Sequence, residues 1–283
     1  MIVNTNVAAM SALNSYSNNY KSLNSSMEKL SSGSRINSAA DDASGLMISE
    51  KMISQIKSLE QAMENGKDAI SFLETAEGAL SQTTNVLQKM RELVIGAQNS
   101  GTLTEQDKHA ISLELEQLQD EINRISSSTT FNGKKLLDGT FGAGTEALFK
   151  IGASSSSSDS IAVQIDDMSA KGLSQDKTND FSISIDTEED ITKTLENIDY
   201  ALNTVLHQRA TLGATENRLD YAIENLTTTK TNLTDANSRI RDVDIAEEIT
   251  KYQNQALKLQ ASMLMMSQAN QQPSIVLTLL QGI

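Results

Sequence analysis

The residues from which catalysis would have to be built are few. The chain holds two histidines, His109 and His207, and no cysteine. No thiolate nucleophile, disulfide or Cys-ligated zinc or iron-sulfur centre can therefore form. No H-E-x-x-H occurs, which excludes a zincin-type metalloprotease, and there is no G-x-x-x-x-G-K-[ST] phosphate loop or G-x-S-x-G elbow. His109 sits in a predicted surface helix among Asp107 and Lys108. His207 lies beside an aliphatic heptad position, where a structural role is expected. The adjacent carboxylates Asp41 and Asp42 read as helix N-terminal charges rather than as a metal or acid site. The chain is expected to be a non-enzyme, with no metal and no cofactor.

Composition points the same way. Lys and Arg total 23 against 37 Asp and Glu, a formal net charge of -14. An acidic chain without a basic tract offers no phosphate-binding surface, so nucleic acid is not an expected partner. Aromatics are only 4% and Pro is 1, which disfavours a compact globular core. The 38% hydrophobic residues favour a thin, extended structure if they are periodic. The N-terminus lacks a basic n-region and an apolar h-region, so the general secretory route is not expected. The longest apolar run, residues 275–280, falls short of the roughly 20 residues that span a bilayer.

The elements are read from heptads. A seven-residue step from Ile191 lands on Ile198, Val205, Leu212, Leu219, Leu226, Leu233 and Ile240, taken as d positions. Leu195, Leu202, Arg209, Glu216, Ile223, Lys230 and Asn237 are then the a positions. Such a helix runs about 75 Å at a rise of about 1.5 Å per residue and must pack lengthwise on others. Met52, Ile56, Leu59, Met63, Ile70, Leu73, Leu80, Leu87 and Val94 share one frame over 46–98, and Ile111, Leu115, Leu118, Ile122 and Ile125 mark a shorter helix. Between these two helices Gly101 is expected as a left-handed C-cap, and Thr104 with Asp107 as a capping pair. Between the halves, Asn132-Gly133 and Asp138-Gly139 mark turns. Residues 147–151 and 161–165 predict a hairpin beside the Ser154–Ser158 run, and 181–185 a further alternating strand. The fold class is mainly α: an elongated antiparallel helical bundle or coiled coil with a small β-hairpin insertion.

The two ends match each other. Leu13, Tyr16, Tyr20, Leu23, Met27 and Leu30 step by 3 and 4, and so do Ile245, Ile249, Tyr252, Ala256, Leu259, Met263 and Met266. Each end nets about +2, whereas residues 159–199 carry eleven Asp/Glu and three Lys. Neutral, apolar-striped ends around an acidic middle suggest termini buried between subunits. Met263, Met265 and Met266 suit such packing because Met adapts to irregular holes.

Several longer motifs carry a resemblance. Leu30-Ser31-Ser32-Gly33-Ser34-Arg35-Ile36-Asn37-Ser38-Ala39-Ala40-Asp41-Asp42-Ala43-Ser44-Gly45 closely resembles the N-terminal signature of bacterial flagellin. Phe131 to Leu137, Leu212-Gly213-Ala214 with Asn217-Arg218-Leu219, Gln268 to Pro273 and Met1 to Asn6 are similar to flagellin as well. The resemblance covers roughly residues 1–140 and 190–283. It implies a division into terminal filament-core helices at 1–45 and 243–283, rod helices at 46–140 and 191–242, and a short variable insertion at 141–190. It also implies a helical homopolymer for swimming motility, secreted as an extracellular filament. The implied partners are the flagellar export apparatus, a secretion chaperone on the C-terminal segment, and the filament cap and junction proteins. Gln88, Arg91, Glu92 and Leu93, with Lys89 and with Glu114 on the next helix, resemble a patch recognised by a Toll-like innate receptor. The alternatives are a hook-filament junction protein of the same family or a secreted coiled-coil adhesin or translocator.

Overall fold

A computed structural model describes residues 5–99, 103–153, 156–175 and 183–281. The fold is mainly α. Five helices, α1 (Val7–Ser32), α2 (Ala43–Ala97), α3 (Glu105–Ser128), α4 (Glu188–Arg241) and α5 (Ile245–Gln281), are joined by β1 (Thr130–Phe131), β2 (Lys134–Lys135), β3 (Ala147–Lys150) and β4 (Ser160–Val163). The chain divides into two units, residues 1–56 with 231–283, and residues 57–230. The first holds eight Lys/Arg against nine Asp/Glu and the second fifteen against twenty-eight, so almost all of the net charge belongs to the second unit. Among the described residues no helix is long and apolar enough to cross a membrane, and no His/Cys/Asp/Glu group could hold a metal ion.

In the second unit the core is built from paired heptad rows. One row of α2 is Leu59, Gly66, Leu73, Leu80, Leu87 and Val94; the row three residues on is Ala62, Ala69, Ala76, Thr83, Met90 and Ala97, all buried. On α4 the buried rows are Ile191, Ile198, Val205, Leu212 and Leu219, and Thr194, Ala201, Gln208 and Thr215. The first α4 row is the expected one. The second is not: Leu195, Leu202, Arg209 and Glu216 are only half-buried, and the inward row lies one residue earlier. The side chains there are small or polar, and their polar atoms are satisfied. Gln208 Nε2 donates to the Gln164 carbonyl at 2.8 Å, and the Thr194 hydroxyl donates to Ser184 O at 2.9 Å and accepts from Ser184 N at 3.2 Å. The outward-leaning Arg209 instead forks onto Glu77 at 2.6 Å and 3.0 Å. Leu226 and Ile223 are half-buried where the burial of the row fades.

The short elements close this core. Helix α3 opens on the expected capping box of Thr104 and Asp107 and buries Leu115, Ile122 and Ile125. Asn132 and Gly133 both have positive φ, 49° and 77°, as a two-residue turn between β1 and β2 requires. That hairpin sets Leu136 and Leu137 fully inside. Phe72 gathers Phe131, Phe141 and Phe149 edge-on at 5.8, 5.4 and 5.3 Å. Strands β3 and β4 pair antiparallel, Ala147 with Val163 and Lys150 with Ser160, as the hairpin expectation had it. The expected strand at 181–185 does not form over its described part, 183–185. Both backbone groups of Ser184 are taken by the Thr194 side chain rather than by a neighbouring strand. Phe181, the Gly101 cap and Ser154–Ser155 lie outside the described residues.

In the first unit the signature between α1 and α2 is a joint. Gly33, at φ 71°, caps α1 in the left-handed region, where a Cβ is disfavoured. Arg35 N donates to the Arg241 carbonyl at 2.6 Å and Val243 N to Gly33 O at 3.1 Å. The Arg35 guanidinium also donates to the carbonyls of Arg239 and Ile240, placing a cation on the negative C-terminal end of α4. Asp42 Oδ1 accepts from Ser44 N and Gly45 N, the first free donors of α2. Asp41 accepts from Ser38 N and Asn37 N. Gly45 is a close approach, where a Cβ would lie 2.8 Å from Ile36 Cδ1.

These contacts set two expected outcomes. Leu212→Ala in the buried row costs about 2–5 kcal/mol in denaturant unfolding of the monomer, and Leu226→Ala in the same row costs clearly less; equal losses would contradict the fading of the core. Backbone donors, from Ser38 on Asp41 and from Gly45 on Asp42, hold both carboxyls below the ordinary 3.8. A lowered folded pKa gives stability that is present above the unfolded value and lost as pH falls through the folded one. The stability gap between wild type and Asp42→Ala should therefore narrow as the unfolding series moves from about pH 6 to below about pH 3. A gap that is constant with pH would assign the effect to shape rather than to charge.

Candidate functional site

Helices α1 and α5 form an antiparallel pair that repeats the two-row rule. The covered rows run through Ala9, Ala12, Tyr16, Asn19, Leu23, Ser26 and Leu30 on α1 and Glu248, Tyr252, Gln255, Leu259, Ser262, Met266 and Ala269 on α5, with Ser17, Ser25, Lys29 and Ala256 half-covered beside them. Each helix thus contributes one largely apolar row and one small or polar row. Asn6 ties one end, accepting from Ala9 N as N-cap and donating to the Ala269 carbonyl at 2.8 Å. Asn19 Nδ2 ties the middle, donating to Ser262 Oγ at 2.7 Å and towards Lys258 O at 3.4 Å. Asp244 Oδ1 starts α5 by accepting from Ala246 N and Glu247 N. Gln255 Oε1 is buried in this seam without a hydrogen-bond partner. A groove of about 580 Å³ runs along the pair, lined by Ala8, Ala12, Asn19, Ala261, Met265 and Gln268 among others.

The predicted packing residues separate into two sets. Tyr16, Leu23 and Leu30, with Tyr252, Leu259 and Met266, are half-buried in the seam. Leu13, Tyr20 and Met27 lie four residues on from the α1 seam row and are 53%, 49% and 50% exposed. Ile249 and Met263 on α5 are likewise open, at 41% and 44%, and Leu257 and Leu264 are open too. Tyr16 and Tyr20 stack with centroids 6.2 Å apart, bridging the covered row and the open one. One partner helix covers one face, and a second apolar face remains in water. Contiguous exposed apolar surface is characteristic of association sites. The sequence pattern does not single out Asn6, Asn19, Gln255 and Ser262 as seam residues. Their signal is the 3-and-4 step shared with the apolar row, masked by their polarity.

The second predicted site lies on α2 and α3 in the other unit. Gln88, Arg91 and Glu92 line a shallow depression with Ile95. Arg91 Nε donates to Asp199 Oδ1 at 2.7 Å, and Lys89 pairs with Glu92 at 3.2 Å. Leu93 packs half-buried against the core, and Glu114 is exposed on α3. His109 and His207 are both exposed.

The chain is similar to known proteins. The model of the bacterial flagellin N-terminal helical region matches residues 3–142, and that of the C-terminal helical region residues 195–280. Flagellin of Bacillus subtilis (strain 168) is 44% identical, covering 99% of this chain and all of the relative. Flagellin of Halalkalibacterium halodurans is 42% identical and the flagellar filament 33 kDa core protein of Treponema phagedenis 41%, each over 99% of this chain and all of the relative. The structure of a putative flagellar hook-associated protein from Vibrio parahaemolyticus, at 17% identity, shares the fold with a TM-score of 0.59 over 71% of this chain and all of that one. With both helical regions matched and its relatives aligned over their full length, the chain belongs to the bacterial flagellin family.

Proposed function

We propose that the open row Leu13, Tyr20 and Met27 on α1, with Ile249 and Met263 on α5, is the surface through which this flagellar filament subunit packs against its neighbours. Tyr16, Leu23, Leu30, Tyr252, Leu259 and Met266 hold the helix pair together within each subunit. The observation that carries this is the division of one apolar stripe into a covered row and an open one. Covering the open half of a Leu, Met or Tyr contributes about 1 kcal/mol, and the contributions repeat at every subunit of a head-to-tail polymer. The full-length relatives named flagellin and filament core protein favour the filament over the hook-filament junction.

The division into filament-core helices at 1–45 and 243–283, rod helices at 46–140 and 191–242 and an insertion at 141–190 belongs to the same reading. So do export through the flagellar secretion channel, a chaperone on residues 245–283, growth beneath a filament cap and contact with junction proteins. An apolar face this open would associate wherever it was left uncovered, which gives a chaperone its purpose.

Replacing Leu13, Tyr20 and Met27 together by Gln should leave the thermal unfolding of the monomer nearly unchanged. It should raise the critical concentration for seeded polymerisation by roughly tenfold or more. Leu23→Ala with Leu259→Ala should instead lower the melting temperature of the monomer. Normal polymerisation of the triple variant would remove the open row from the interface.

A second recognition reading rests on the α2 depression. Gln88, Arg91, Glu92 and Leu93, with Glu114, are proposed as a Toll-like receptor patch, supported by the accessible position of Gln88, Glu92 and Glu114 and by the fixed pose of Arg91 on Asp199. In a reporter-cell assay, monomer carrying Arg91→Ala and Glu114→Ala should signal roughly tenfold less, the scale of losing one well-placed contact. Unchanged signalling would dismiss the patch.

A further inference from the structure

The open methionines are not spread evenly. Among the described residues, Met10, Met27, Met47, Met263 and Met265 are 44–65% exposed, and all five belong to the unit formed by residues 1–56 and 231–283. In the other unit Met90 and Met168 are 0% and 1% exposed and Met63 is half-buried. That second unit does expose large apolar residues, Ile95, Leu113, Leu148, Leu206 and Tyr221 among them, but no methionine. Exposure to solvent therefore does not in itself select Met; the segregation follows the unit that carries the open face. Met loses more rotamer freedom on burial than Leu. What sets it apart from Leu or Ile is its thioether sulfur, which a peroxide can reach and oxidise.

We propose that Met27 and Met263, which belong to the open row, make the assembly face of the unpolymerised subunit a redox-sensitive modification site, with hydrogen peroxide as the oxidant class; Met10, Met47 and Met265 are open on the same unit. The thioether sulfur attacks one peroxide oxygen, a sulfur-oxygen bond forms, the oxygen-oxygen bond breaks and water leaves. Sulfur loses two electrons and the peroxide gains them. Each product, a sulfoxide, is polar and chiral where the neighbouring subunit needs an adaptable apolar surface, so oxidised subunits fail to add. Reduction of the sulfoxide restores the face. Once the subunit is packed, the same sulfurs are covered and no longer oxidise. The inference rests on the proposed packing surface, and it adds a chemical control that packing alone does not require.

The test uses full-length monomer exposed to hydrogen peroxide, quenched, mapped by peptide mass spectrometry and presented to filament seeds. Sulfoxide is expected at Met10, Met27, Met47, Met263 and Met265 and not at Met90 or Met168, which serve as internal controls. Elongation should fall roughly tenfold or more and recover after treatment with both epimer-specific methionine sulfoxide reductases. A variant with all five changed to Leu should elongate equally before and after peroxide; the reductase arm tests the same point on the wild-type chain without relying on that variant. Untreated monomer that elongates while the oxidised monomer elongates just as fast overturns the redox proposal and leaves the packing surface standing. Oxidation of Met27 and Met263 at equal rates in monomer and in intact filaments would overturn the packing surface itself, and the proposal with it.

Discussion

A helix buries one face per neighbour, and every long helix here carries more apolar rows than a single neighbour can cover. The pairing rule is constant. One aliphatic row and the row three residues further on, made of small or polar residues, form the seam. On α2 the second row is largely alanine, on α4 it is Thr194, Ala201, Gln208 and Thr215, and on α1 it is Ala12, Asn19 and Ser26. Between α1 and α5 the Asn19–Ser262 bond fixes register, since a slipped pairing would leave it unmade, whereas Thr194 and Gln208 of α4 are satisfied by Ser184 and Gln164. The row four residues on is left over. In the second unit the leftover row is half-covered, with Leu195 and Leu202 against the core and Arg209 locked on Glu77. In the first unit the equivalent row is Leu13, Tyr20 and Met27, and it remains open.

This explains which parts of the fold are legible in the residues and which are not. The rows Ile191 to Leu219 and Leu59 to Val94 are evident because aliphatic residues recur at seven. Their companions fall on the other side from the one hydrophobicity suggests, since an apolar criterion prefers Leu195 and Leu202 to Thr194 and Ala201. That criterion measures hydrophobicity where the packing selects for size and hydrogen bonding. The Thr104 box and the β3–β4 hairpin are readable because a cap and an alternating run are local codes. The strand expected at 181–185 fails because alternation says nothing about where the partner is. Ser184 finds its donor and acceptor in one threonine side chain instead of an adjacent strand.

The candidate site is readable as a stripe but not as two faces. Steps of 3 and 4 cannot tell the row that meets α5 from the row that meets water, because both are apolar and both are heptad-spaced. The distinction comes from Asn19 and Ser262, whose bond at 2.7 Å fixes which side of α1 is inward. The motif between α1 and α2 is recognisable only by likeness, yet its positions have separate physical reasons. Gly33 supplies a left-handed cap, Arg35 a cation for the end of α4, Asp42 an acceptor for the start of α2, and Gly45 the room for Ile36.

Charge separates the two units as sharply as exposure does. Nearly all of the net negative charge lies in residues 57–230, while the unit with the open apolar rows is almost neutral. Like charges stacked at every repeat of a polymer would oppose growth, and screening weakens them only beyond a Debye length of about 8 Å at physiological salt. Balanced charge on the unit with the proposed associating face keeps that penalty small there. Net charge on the other unit disfavours association there, despite exposed residues such as Leu148 and Tyr221. Apolar exposure alone would allow aggregation through either unit. Exposure joined to near-neutral net charge in only one of them supports the proposal that the terminal helices are the surface that polymerises.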